Sequence, residues 1–145
     1  MTRIEKSIEI KASAEKIFPL IDWDGWLKWY DPFKKVEWTS KDTHKLGSTV
    51  HVTIELAGLK SAWDGETTEY IENEKIAWRS IGGGITGFGS NSLSPVKGAV
   101  KVTLMMDYDL PYSLLGKMID KLRFHKAVDK SYETGLKKLK AMAEM

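Results

Sequence analysis

Along Arg3–Lys11 the apolar residues Ile4, Ile8 and Ile10 alternate with Arg3, Glu5, Ser7, Glu9 and Lys11. A period of two places successive side chains on opposite faces of a strand, so this stretch predicts a half-buried strand, with Lys6 as the exception on its apolar face. The pattern then changes. Ser13 can accept a backbone N–H as an N-cap and Glu15 falls in the first turn, ahead of Ile17, Phe18, Leu20 and Ile21. Together they predict a short helix that Pro19 bends or cuts short. Trp23–Phe33 reads as a second short helix or turn, closed by Asp31-Pro32, and Lys35–Ser40 as a short strand.

From Ser48 to Asp109 the pattern is almost entirely strand. Val50, Val52, Ile54 and Leu56 oppose His51, Thr53 and Glu55. Gly58 turns the chain into Lys60–Tyr70, and Glu72-Asn73-Glu74 turns it into Lys75–Ile81. Centring that second hairpin near Glu72-Asn73 sets Glu66 opposite Arg79. The same register puts Trp63, Gly65 and Thr67 on one face with Ile76, Trp78 and Ser80, so apolar residues and the ion pair sort to opposite sides. A last strand, Lys97–Asp109, alternates Val100, Val102, Leu104, Met106 and Tyr108 with Lys101, Thr103, Asp107 and Asp109.

Pro111 can then open a helix from about Tyr112 to Ala143, which at 1.5 Å per residue would run roughly 48 Å and cross the whole domain. Its apolar stripe is read as Leu115, Met118, Leu122, Val128, Tyr132, Leu136 and Leu139. His125 lies near the centre and Asp129 at the margin. Gly116 and Gly135 mark points of weakness or close packing.

Sequential hairpins imply an antiparallel sheet, and one amphipathic helix at the end must cover its concave face. The expected architecture is α+β, a helix-grip: a six- to seven-stranded antiparallel sheet curved around a long C-terminal helix, with two short helices after the first strand, as one domain over residues 1–145. Three segments carry a family resemblance: IEIKASAEKIFPLIDWDGWLKWYDPFKKVEW (Ile8–Trp38), GETTEYIENEKIAWRS (Gly65–Ser80) and VKGAVKVTLMMDYDLP (Val96–Pro111), the last with Ala99 where threonine is usual. With them the chain resembles the START-like, or SRPBCC, superfamily, in its polyketide cyclase/dehydrase-like and coenzyme-Q-binding-like branches. The resemblance implies a cavity between sheet and helix and a role in binding, transport, cyclisation or co-chaperone work, with no shared catalytic signature.

Composition narrows the classes. The 22 Lys+Arg against 20 Asp+Glu, net +2, supply no excess for phosphate, so nucleic acid is not an expected partner. Zero cysteines exclude disulfides, thiol nucleophiles and thiolate metal sites. The first residues are too charged for a signal peptide and no run suits a membrane span, so a cytoplasmic protein is expected. Basic charge gathers after Pro111, where eight Lys/Arg face four Asp/Glu, which allows at most a transient contact with an acidic membrane.

Candidate chemistry is sparse. Gly82–Gly87 satisfies G-x-G-x-x-G, and Asp107 falls where a ribose-binding acid would stand. The fingerprint needs a helix next, and Phe88–Pro95 cannot begin one, so the five glycines of Gly82–Gly89 read instead as a flexible hairpin or edge segment near the cavity mouth. His51 and Glu55 share a solvated strand face and His44 sits in a polar turn, so no metal or other cofactor is implied. His125, with Asp129 one turn later, is the candidate general base of a cyclase- or dehydratase-like reaction. The leading expectation is binding of a hydrophobic or amphipathic small molecule in a cavity lined by Trp63, Trp78, Met106, Tyr108, Leu122, His125 and Tyr132. Trp26, Trp29, Tyr30 and Phe33 are the candidate portal, helically spaced on one side. A co-chaperone-like or toxin-like interaction module is a further alternative, with no motif that names its protein partner.

Overall fold

The computed structural model describes residues 1–110 and 121–145. Seven strands, β1 (Thr2–Ile10), β2 (Phe33–Trp38), β3 (Thr49–Leu56), β4 (Leu59–Ile71), β5 (Lys75–Gly83), β6 (Thr86–Val96) and β7 (Ala99–Asp109), form one antiparallel sheet in the order β1-β7-β6-β5-β4-β3-β2. Five consecutive strands are joined by short hairpins. β1 returns to pair with β7, with Ile4 opposite Met106 and Ile8 opposite Val102. The expected helix-grip α+β fold is the observed one. Among the described residues no helix is long and apolar enough to cross a membrane.

Between β1 and β2 the chain makes three tight turns. Helix α1 (Ala14–Ile17) is capped by Ser13, whose Oγ accepts from the Lys16 N–H at 3.2 Å. Two 3-10 turns follow, Phe18–Ile21 and Trp23–Lys28. Pro19 stands at the start of the first, where its missing N–H leaves no partner unsatisfied. The long helix α2 spans Lys121–Ala143 in the described residues. Its expected start at Pro111–Tyr112, with Leu115, Gly116 and Met118, lies outside them.

The β4/β5 register holds at its centre, with Glu66 opposite Arg79 and their side chains joined at 2.8 Å. Bulges between Asp64 and Gly65 and between Thr67 and Glu69 shift the pairing by one on either side. Lys6 is also accounted for. Its ammonium meets Asp129 of α2 at 3.2 Å, so the polar break in the first strand and the polar margin of the helix satisfy each other.

The Gly82–Gly89 segment, read as a hairpin or an edge, is the hairpin. It supplies the β5–β6 hairpin, with Gly83 at a φ of 96°, but continues into β6, an interior strand and not an edge. Glycine is needed there for approach. A Cβ on Gly89 would meet the Met105 carbonyl and lie 2.8 Å from the Trp78 ring, and one on Gly65 would lie 2.6 Å from Trp23. The inner face of the sheet is left bare where tryptophans cross it.

The buried residues form two clusters. The larger joins α2 to β1, β6, β7 and the Trp26–Tyr30 turn, and the smaller gathers Trp23, Val50, Val52, Ile54, Trp63 and Trp78. Phe33, Ile85 and Met106 pack against both. The internal cavity opens around that junction.

Candidate ligand cavity

The cavity between the sheet and α2 has a volume of about 70 Å³. That is several times the ~10–15 Å³ needed to hold one water. Trp63, Trp78, Met106 and Tyr108 reach it from the sheet, and Phe124, Val128 and Tyr132 from α2. Trp23, Trp26, Tyr30 and Phe33 close it from the segment between β1 and β2. The aromatics also limit its size. Trp23, Trp63 and Trp78 form a mutual triad with ring centroids 5.4–6.0 Å apart, and Trp26 stacks on Phe33 at 5.3 Å. Large rings in edge and stacked contact fill the two ends and leave the space between them.

Polar groups on this wall are few, and most of them are bonded. Trp23 Nε1 donates to Thr67 Oγ1 at 2.9 Å, and Asn91 Nδ2 donates to the Ile21 carbonyl at 3.0 Å. Tyr30 and Ser131 share a hydroxyl contact of 2.8 Å, while the Tyr132 hydroxyl donates to Met106 Sδ at 3.7 Å. Burial disfavours the phenolate of all three wall tyrosines. It pushes Tyr108 up to about 12, and Tyr30 and Tyr132 well above their ordinary value. For Tyr132 the neighbouring Tyr30 and Tyr108 raise it further. The hydroxyls therefore remain protonated donors.

Of the seven residues read as a cavity set, Trp63, Trp78, Met106, Tyr108 and Tyr132 line this space and two do not. Leu122 is 61% exposed. The buried helix face is Phe124, Val128, Tyr132, Leu136, Leu139 and Ala143, and stepping four residues back from Val128 reaches Phe124, whereas six residues turn Leu122 away from it. Phe124 is thus the wall residue that i,i+4 spacing could have found. His125 stands beside the wall, its Nδ1 3.2 Å from the Tyr108 hydroxyl. Asp129, expected to orient it, is engaged with Lys6 instead. Trp23, read as part of the aromatic turn, is a wall residue as well.

The portal set is more enclosed than a portal requires. Trp26, Trp29 and Tyr30 are buried and Phe33 is half-buried. Trp29 is fully enclosed, donates from Nε1 to the Leu20 carbonyl at 2.7 Å and packs where a Cβ on Gly135 would lie 3.1 Å from its ring. Trp29 is a plug between the turn and α2, and Gly135 marks close packing. Trp26, Tyr30 and Phe33 line the cavity.

The remaining candidates take ordinary roles. His51 pairs with Asp64 at 2.7 Å and His44 with the buried Asp22 at 2.9 Å. Among the described residues no group of three or more metal-ligating side chains converges. Asp107, placed by spacing as a ribose-binding acid, is held by Arg3 through contacts of 3.0 and 2.8 Å, and a strand follows the glycines where a dinucleotide site needs a helix.

Comparison with known proteins agrees with this geometry. The family model described as polyketide cyclase / dehydrase and lipid transport matches residues 1–144. An uncharacterized 17.2 kDa protein of Streptomyces lincolnensis is 28% identical over 127 residues, covering 87% of this chain and 81% of that protein. Among solved structures, the Zhui aromatase/cyclase from Streptomyces sp. R1128 superposes with a TM-score of 0.80 at 16% identity, covering 99% of this chain and 93% of that one. A START superfamily protein from Mycobacterium smegmatis gives 0.78 at 17% identity, over 98% and 97% of the two chains.

Proposed function

Because this chain belongs to the polyketide cyclase / dehydrase and lipid transport family, we propose that it binds a hydrophobic or amphipathic small molecule between the sheet and α2. The observation that carries the reading is the cavity itself: an internal space walled almost wholly by aromatic and aliphatic side chains, bounded by both layers of the fold. Small-molecule sites are typically apolar pockets with a few placed polar groups, and the tyrosine hydroxyls supply those. Binding fits the geometry better than acid–base turnover. His125 touches the cavity wall through Tyr108, and Asp129, the carboxylate read as its orienting partner, is engaged with Lys6. The test is saturation-transfer NMR with uncharged one- and two-ring aromatic compounds, on the wild type and on Val128→Trp, which fills the cavity. Transfer to the wild type and its loss in the variant is the expected result. Absence of transfer, or equal transfer to both proteins, overturns the reading.

A further inference from the structure

We infer that the cavity selects uncharged molecules that carry a carbonyl or similar acceptor oxygen, and that the Tyr132 hydroxyl anchors that oxygen; this rests on the cavity being the ligand site. The first argument is charge. Among the described residues, no Lys, Arg, His, Asp or Glu lines the cavity. A carboxylate, phosphate or ammonium would be stripped of water there and offered no opposite charge, which is the costly case for burial.

The second argument is where the hydrogens of the wall tyrosines go. Ser131 Oγ donates to the Val128 carbonyl at 2.7 Å, so it accepts from Tyr30, whose hydrogen is thereby used. Tyr108 is coupled to His125. Among the three wall tyrosines Tyr132 differs. It is 4% exposed and its hydrogen points to the Met106 sulfur at 3.7 Å, a weak thioether acceptor. A ligand oxygen that displaces this contact exchanges a weak acceptor for a strong one, with only the thioether contact to break and no proton to lose. The Trp26 ring, its centroid 5.9 Å from that of Tyr132, offers an aromatic face to a ring attached to the carbonyl.

Acetophenone, benzoate and cumene, matched in size, separate the possibilities by calorimetry. The expected order is acetophenone about five- to tenfold tighter than cumene, the effect of one net hydrogen bond, with benzoate not bound. Tyr132→Phe should reduce acetophenone to the level of cumene and leave cumene unchanged. Met106→Leu, which removes the sulfur acceptor, should strengthen acetophenone alone. Independently of any variant, the carbonyl stretch of acetophenone bound to the wild type should shift to lower frequency. Benzoate binding as tightly as acetophenone, or a preference for acetophenone that survives Tyr132→Phe, overturns the inference. So do cumene and acetophenone binding equally to the wild type, a result that leaves the cavity reading intact. If none of the three binds, the cavity reading falls and this inference with it.

Discussion

Arg3 and Asp107 face each other across β1 and β7, and their pairing shows how much one residue can owe to a distant strand. The Arg3 guanidinium hydrogen-bonds the Asp107 carboxyl and holds it below the usual carboxylate range. A carboxylate depressed in the folded state stabilises the fold above its unfolded value of ~3.9, and that stabilisation disappears as pH falls through the lower folded value. Asp107→Asn should therefore lower the urea midpoint near pH 7. The difference from the wild type should close below about pH 3; a gap unchanged by pH would assign the loss to packing instead. The alternation of the last strand places Asp107 on its polar face, but its partner is over a hundred positions away. Lys6 and Asp129 are the same case: each read as an anomaly in its own element, and each resolved by the other.

At the scale of elements, α2 has two segments with different work. Phe124, Val128 and Tyr132 wall the cavity. The C-terminal end instead secures the helix to the β1–α1 region: Lys140 Nζ donates to the Glu9 carbonyl at 3.0 Å and the Lys11 N–H to Glu144 at 2.8 Å. Leu139 is fully buried in that part. Leu139→Ala should destabilise the protein by ~2–5 kcal/mol while leaving affinity for an aromatic probe unchanged. Val128→Ala should cost less, about 1–2 kcal/mol, and admit larger probes because the lost methyls enlarge the cavity. Chemical denaturation and a probe-size series read both; equal effects on affinity would contradict the division. The centre of the β4/β5 register was legible because a short turn leaves little freedom in pairing. The helix face was legible at Val128, Tyr132, Leu136 and Leu139 and misread only at Leu122, since Leu122 and Phe124 are both large and apolar and only the packing partner chooses between them.

For the whole molecule, the sheet is open, and β2 and β1 are its two edges. An edge strand presents unpaired backbone groups to any second strand, and charged side chains are one way to discourage that pairing. β2 carries exposed Lys34, Lys35 and Glu37, and β1 exposed Arg3, Glu5 and Glu9. Replacing Lys35 and Glu37 together by Val should increase concentration-dependent association in sedimentation velocity. Unchanged sedimentation would show that these charges are not what guards the edge. The β1 edge arises from a pairing that no local pattern announces, because β1 meets β7 across the whole length of the intervening chain. That same pairing makes β7 an interior strand, whereas β6 is interior through its hairpins to β5 and β7. Its alternating Ser and Gly residues carry a weak strand signal, and its place is set by the neighbours on either side.

The amino-acid sequence by itself determined most of the elements, the centre of the β4/β5 register, the α+β class and the apolar character of the surface between sheet and helix. Those follow from periodicities of two and of roughly three and a half residues, and from turns only a few residues long. The tertiary structure alone decided which aromatic side chains line the cavity and which fill it. It enclosed Trp29, turned Leu122 to solvent, drew Asp129 to Lys6 and left the hydrogen of Tyr132 on a sulfur atom. The physical reason is that a periodic pattern specifies a face, whereas packing and hydrogen bonding specify a partner, and the bonded groups at this cavity find their partners on other elements.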